Sequence, residues 1–277
     1  MLRCGCCCTQ PDGEEDSFPF AALDGASTSA APRQRVRPPA SIAELDLLRV
    51  VGRGTYGKVM LARSRADPEV LYAVKAMRKS HLRERAHSRH ALTERRVLAR
   101  MAHHPFICTL HSTFQTRDRI FLALEWRAGG ELFFHLRRER VFSLPRARLY
   151  AAEVLLAIEA LHAQDIAYRD LKPENVLLDA HGHACLSDFG LARECISALP
   201  GGARTCCGTP SYMAPEVLLG TGHGLPVDWW GFGTLLFEML SGSPPFYSRE
   251  LPIMCTCPTP PVHTATAPPQ HRRLPRS

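Results

Sequence analysis

The run Tyr168-Arg169-Asp170-Leu171-Lys172-Pro173-Glu174-Asn175, followed at Asp188-Phe189-Gly190 by a second acidic element, constrains this chain more than any other stretch. Spaced as H-R-D-x-x-x-x-N and then D-F-G, the two offer a carboxylate to orient a hydroxyl, an amide oxygen and a carboxylate for a hard divalent cation, and an ammonium for a phosphate. Moving a phosphoryl group asks for positioning and charge neutralisation more than for covalent chemistry, so the site needs hard oxygen ligands and a base near the acceptor. Asp170 then takes or orients the acceptor proton, Asn175 and Asp188 hold Mg²⁺, Lys172 neutralises the moving phosphate, and Pro173 helps fix the loop. A lone Asp or Asn is usually a turn residue or cap. In this order and at these spacings the four together predict a phosphoryl-transfer site.

A nucleotide must reach that site, and the glycine-rich run Gly52-Arg53-Gly54-Thr55-Tyr56-Gly57-Lys58-Val59 is the stretch that can hold one. Read as a P-loop it fails, because Val59 stands where a Ser or Thr must bind the metal. Read as a dinucleotide fingerprint it should open a helix, yet Val59-Met60-Leu61-Ala62 continues apolar and Leu71-Tyr72-Ala73-Val74-Lys75 follows as another strand. A hairpin laid over phosphates remains, its glycines letting backbone N–H groups approach the phosphate oxygens and Val59 covering an adenine face.

Ala73-Val74-Lys75 fits V-A-I-K, with Lys75 reaching the α- and β-phosphates. Its counter-ion must come from a nearby helix, and Glu94 is the only acid between Arg85 and Met101; the competing reading pairs Glu94 with arginines one turn away. Phe106-Ile107 and Ile120-Phe121-Leu122-Ala123-Leu124 read as further strands, and Glu125-Trp126-Arg127-Ala128-Gly129-Gly130 breaks the pattern as a linker between lobes. The backbone of Glu125 and Arg127 would bond the adenine edge, with Leu124 behind it. Residues 131–140 and 144–164 read as helices, and Ala151, Val154, Leu155, Ile158 and Leu161 recur at core spacing in the second.

With 277 residues, 45% of them hydrophobic, the chain can bury a core of two lobes. No run of about 18 apolar residues appears, which excludes a membrane-spanning helix. The net charge of +7 draws on a stretch, residues 78–100, with helical spacing; a solvated basic face is the favoured reading, an RNA, DNA or anionic-lipid patch the alternative. No nucleic-acid partner is expected. Eleven cysteines are many, yet no apolar h-region precedes Cys4-Gly5-Cys6-Cys7-Cys8, so a reduced, cytoplasmic setting is expected. No second Cys or His cluster completes a zinc site there. S-acylation of those cysteines, with Arg33, Arg35 and Arg37 as a second signal, is the one route to a membrane.

Residues 1–46 mix small, acidic and proline residues without apolar periodicity and read as disordered. Residues 191–205 read as a flexible polar segment, closed by Cys206-Cys207-Gly208-Thr209-Pro210 and Ala214-Pro215-Glu216. Thr205 is a candidate phosphorylation site, because a dianion there could pair with Arg169 and order the loop; the alternative is an ordinary loop threonine.

These residues together resemble eukaryotic protein kinases over residues 47–247. Tyr168 in place of the usual His, the Thr205-to-Pro210 run, Asp228-Trp229-Trp230-Gly231-Phe232-Gly233 and Gly242-Ser243-Pro244-Pro245-Phe246-Tyr247 are similar to the AGC group, and within it to the ribosomal protein kinase branch. The resemblance implies an α+β bilobal fold and MgATP as co-substrate, bound by Val51, Gly52, Gly54, Gly57, Val59, Ala73, Lys75, Glu125, Arg127 and Leu177. It also implies Ser/Thr acceptors preceded by arginine, which Glu131, Glu174 and Glu238 would hold, and phosphorylation of Thr205 by an upstream phosphoinositide-dependent kinase.

After Tyr247 the chain leaves the pattern, and residues 248–277 carry seven prolines and no helical periodicity, so the last helices of the large lobe and a partner for Glu216 are not expected there. Trp229, Trp230, Phe232, Leu235, Leu236 and Phe237 are expected to lose cover and attract chaperones. A catalytically silent nucleotide- or partner-binding protein is the competing function.

Overall fold

The computed structural model describes residues 37–54, 57–82, 85–199 and 201–246. Cys4 to Cys8 and the proline-rich residues 248–277 lie outside them, as do Thr55, Tyr56 and Tyr247. Five strands open the fold: Leu45–Gly54 (β1), Gly57–Ser64 (β2), Leu71–Arg78 (β3), Leu110–Gln115 (β4) and Arg119–Glu125 (β5), in the order β1-β2-β3-β5-β4 with antiparallel neighbours. Helix Arg85–Arg100 (α1) connects β3 to β4.

Strand side chains alternate across a sheet. In β3, Tyr72, Val74 and Ala76 are buried among Leu45, Met60, Phe114 and Phe121 on one face, while Ala73 and Lys75 fall on the other. α1 sets Ala91, Val97 and Leu98 into a second core that also takes Met77, Ile120 and Leu122 from the sheet. Its Arg89, Arg96 and Arg100 face solvent.

The second lobe follows the linker after β5. It comprises Gly130–Glu131 (β6), Leu132–Glu139 (α2), Leu144–Ala163 (α3), Ile166–Ala167 (β7), Val176–Leu178 (β8), Ala184–Leu186 (β9), Arg193–Glu194 (β10), Pro215–Leu218 (α4) and Pro226–Ser241 (α5). Val154, Ile158 and Leu161 of α3 are at most 1% exposed, and full burial of such a side chain stabilises by roughly 1.5–3 kcal/mol each. β8 and β9 form a hairpin whose ends carry the catalytic loop and Asp188.

Four expectations are corrected. Phe106-Ile107 is no strand: Ile107 makes one isolated bridge to Leu186, and the strand lies at Leu110–Gln115. β4 hides its identity because its polar residues are buried; Ser112 donates to the Pro39 carbonyl at 2.5 Å. The fold also starts earlier than residue 47, since Ile42–Glu44 forms a 3₁₀ turn and Leu45 is buried. Residues 191–205 include β10, the 3₁₀ turn Ile196–Ala198 and a bridge between Ala203 and His223. On α5, Leu235 is fully buried and Trp230 stacks on Phe246 at 5.3 Å, so the exposed apolar side chains there are Trp229, Phe237 and Leu240.

Candidate active site

The catalytic loop is built on one buried carboxylate. Asp228, in the first turn of α5 and 1% exposed, accepts the backbone N–H groups of Tyr168 and Arg169 at 2.8 Å each and faces His162 at 2.8 Å. That clamp holds Arg169 with φ +68, a left-handed conformation that costs a non-glycine residue about 1 kcal/mol or more. No motif logic assigned Asp228 a role; the signal available was an acid inside an otherwise apolar helix start.

Past the clamp, Asp170 stands at the centre of a small network. Its Oδ2 accepts from Asn175 Nδ2 and Lys172 Nζ at 2.9 Å each, and its Oδ1 accepts from the Thr209 hydroxyl at 3.2 Å. Lys172 also donates to that hydroxyl at 2.9 Å. Asp170 and Lys172 therefore present a base and a cation to one alcohol oxygen. Asn175 spends its amide N–H groups on Asp170, including the backbone carbonyl at 2.8 Å, which leaves its Oδ1 as the end available to a metal.

Lys75 crosses the cleft between the lobes. Its Nζ lies 2.7 Å from Glu94 Oε1, which settles the choice between the two readings of Glu94, and 3.1 Å from Asp188 Oδ1. Burial works to lower the Lys75 pKa, but Glu94 and then Asp188 outweigh it and hold the ammonium above its ordinary range. Burial raises the Glu94 carboxyl, with Lys75 opposing, so the geometry that fixes the pair is charge against charge in a site only 3% exposed at Glu94. Asp188 differs: burial pushes its pKa up, yet Lys75 wins and holds it below the usual carboxylate range. Its side chain is 53% exposed, an anion open to the cleft.

The strand ladders complete the pocket. Gly52 pairs with Val59, Val59 with Lys75 and Ala73 with Leu124, so the hairpin, the lysine and the start of the linker share one sheet region; Gly54 faces Gly57 at the hairpin end. A Cβ on Gly57 would fall 1.9 Å from the Ala76 carbonyl oxygen, so that strand approach requires glycine. Val51, Gly52, Val59, Ala73 and Leu177 are each half-buried. Glu125 gives its N–H to the Thr109 carbonyl at 2.9 Å, its own carbonyl accepts only the weak donor of the Cys108 thiol at 4.0 Å, and the Arg127 side chain pairs with Glu125 at 2.8 Å. For Mg²⁺ the chain offers two hard oxygens, Asn175 Oδ1 and the Asp188 carboxylate. That fits an ion that keeps several waters and takes its other ligands from phosphate.

A family model described as a protein kinase domain matches residues 45–259. The chain belongs to the protein kinase family. Protein kinase 2 of Dictyostelium discoideum is 49% identical over 211 residues, 76% of this chain and 43% of that protein. The serine/threonine-protein kinase Sgk1 of Danio rerio is 50% identical over 213 residues, covering 77% and 49%, and that of Xenopus tropicalis 47% over 233, covering 82% and 55%. This kinase thus spans about half the length of the curated relatives it matches. The likeness to Sgk1 supports the AGC group.

In this kinase one of the three acids expected to hold arginine, Glu174, acts on the other two. Burial raises the Glu131 and Glu238 carboxyls, and Glu174 adds to both. The Tyr212 hydroxyl donates to Glu238. Glu174 Oε2 is buried without a hydrogen-bond partner, an acceptor that points to a missing donor. Arg169 Nη1 donates to Thr205 Oγ1 at 2.9 Å, so the arginine already reaches the candidate phosphorylation site. Arg96 of α1 bonds Glu194 at 2.8 Å, which ties the helix bearing Glu94 to β10.

Proposed function

We propose that this chain transfers the γ-phosphate of MgATP to Ser or Thr hydroxyls of proteins with arginine ahead of the acceptor. The carrying observation is the meeting of Lys75, Glu94, Asp170, Lys172, Asn175 and Asp188 in one cleft, with a hydroxyl already bridging Asp170 and Lys172. Asp170 orients the acceptor O–H and takes its proton. Lys75, fixed by Glu94, holds the α- and β-phosphates, and Lys172 meets the charge that develops on the transferred group. Mg²⁺, when bound at Asn175 and Asp188, neutralises the phosphate oxygens. Glu131, Glu174 and Glu238 set the basic preference, supported by the partnerless Glu174 oxygen.

Phosphorylation of Thr205 by an upstream kinase is part of the same reading, supported by the Arg169 contact. The ribosomal protein kinase branch rests on motif resemblance alone. A reducing, cytoplasmic setting rests on the reading of the sequence alone. Trp229, Phe237 and Leu240 are the surface at which chaperones would engage.

The test is transfer of labelled γ-phosphate to an Arg-x-x-Ser peptide by the chain and by Asp170→Asn and Lys75→Met. Loss of general-base help is expected to slow Asp170→Asn by about 10²–10⁴-fold. Equal background in all three would leave a nucleotide- or partner-binding protein in place of an enzyme.

A further inference from the structure

His223 is 4% exposed, and its position is set by backbone, not by side-chain packing alone. It forms an antiparallel bridge with Ala203, N–H to carbonyl at 2.8 and 2.9 Å, two residues before Thr205. Glycines make the approach possible: a Cβ on Gly202 would lie 2.6 Å from the His223 carbonyl oxygen, and one on Gly222 2.0 Å from the Gly201 oxygen. At this bridge Arg169 Nη1 lies 2.9 Å from Thr205 Oγ1 and 3.2 Å from His223 Nε2, so hydroxyl and imidazole sit on one guanidinium nitrogen. A guanidinium only donates, so Nε2 accepts and the ring is neutral, its proton on Nδ1.

We propose that His223 is a second, titratable ligand for a phosphate on Thr205, alongside Arg169. The proposal rests on the reading of Thr205 as a phosphorylation site and adds how that site responds to pH. While Thr205 is a free hydroxyl, the imidazole accepts from Arg169. Once a dianion stands there, the ring takes a proton from water and its Nε2–H donates to a phosphate oxygen, with Arg169 on the other side.

The charged and titratable groups facing His223 are Arg169 from the catalytic loop, Glu216 from α4 and Asp228 from α5, with Cys207 lining the same cavity. Burial and then Arg169 hold the ring below its ordinary pKa, against the pull of Glu216 and Asp228. A phosphate reverses that balance. The two states then answer pH in opposite senses. Without phosphate, the Arg169–His223 contact is lost as pH falls through the lowered pKa. With phosphate, the docked loop is strengthened as pH falls through the raised pKa and loosens as pH rises through it.

The test compares the full chain carrying phosphothreonine installed at position 205 during synthesis with the same chain carrying threonine. Histidine ring resonances are followed by NMR from pH 5 to 8.5, His223 being assigned by selective labelling and by His223→Phe. The midpoint of His223 is expected to rise by about one pH unit or more in the phosphorylated chain. The ³¹P midpoint should in turn lie lower than in phosphorylated His223→Phe. An unchanged His223 midpoint overturns the proposal, and it does so in the wild-type chain even if His223→Phe fails to fold. Because the phosphate is installed, a failure to find Thr205 phosphorylated in cells would count only against the earlier reading.

Discussion

Glu238 is buried near the Glu174 carboxylate, and the Tyr212 hydroxyl donates to it. A carboxyl whose folded pKa is raised binds its proton more tightly in the fold. Its stability is therefore full below the ordinary value near 4.3 and declines as pH rises through the raised value. A substrate guanidinium placed there offsets that loss only when the carboxylate is charged. The KM for an Arg-x-x-Ser peptide is thus expected to fall as pH rises through this window, with kcat following its own profile. Glu238→Gln should raise KM roughly tenfold at neutral pH and flatten the profile. Matching KM profiles in the two proteins would remove Glu238 from the arginine site. At this scale the geometry of the candidate site was largely legible, because Asp170, Lys172 and Asn175 lie within one loop, where spacing alone brings them together. Glu94 needed only the absence of rival acids in its helix. Asp228 and His223 were not legible as working parts: each acts on backbone or side chains dozens of residues away, which only the folded chain brings near.

Among the elements, the segment between Asp188 and α4 depends on the pairing of Ala203 with His223. Gly222 has φ +101 and no room for a Cβ, so Gly222→Ala meets both a disfavoured conformation and a backbone clash. The substitution should cost about 1–3 kcal/mol locally, open the bridge, and raise the exchange rate of the Ala203 amide while leaving core amides in α3 protected. If exchange at Ala203 is unchanged, the bridge does not hold the segment. Elements were legible where apolar spacing was regular, as in α3 and β5, and illegible where a strand hides polar groups. β4 buries Ser112 and Thr113, so its face carries no alternation to detect, and the polar residues 191–205 gave no hint that Arg193–Glu194 pairs with β7.

At the scale of the molecule, the two lobes share one apolar core. Met77, Leu82 and Leu98 of the first belong to the same buried cluster as Leu136, Ile158 and Phe189 of the second, and the Ile107–Leu186 bridge joins them behind the cleft. On the open side the link is ionic: Lys75 reaches Asp188 across the lobes, with Glu94 behind it. A nucleotide held by Lys75 and a metal held by Asp188 would add a second tie, and unfolding of either lobe would release both. Saturating MgATP at about 100 times its Kd is then expected to stabilise the chain by ~2.7 kcal/mol and to leave one thermal transition. Asp188→Asn, which removes the one charged ligand and leaves Asn175, should shrink the difference between ATP with Mg²⁺ and ATP with EDTA. Lys75→Met should weaken both, because the phosphates lose their ammonium whether or not metal is present. A magnesium-dependent gain that is undiminished in Asp188→Asn would show that Asp188 does not hold the metal, and with it the assignment of the cleft would fall.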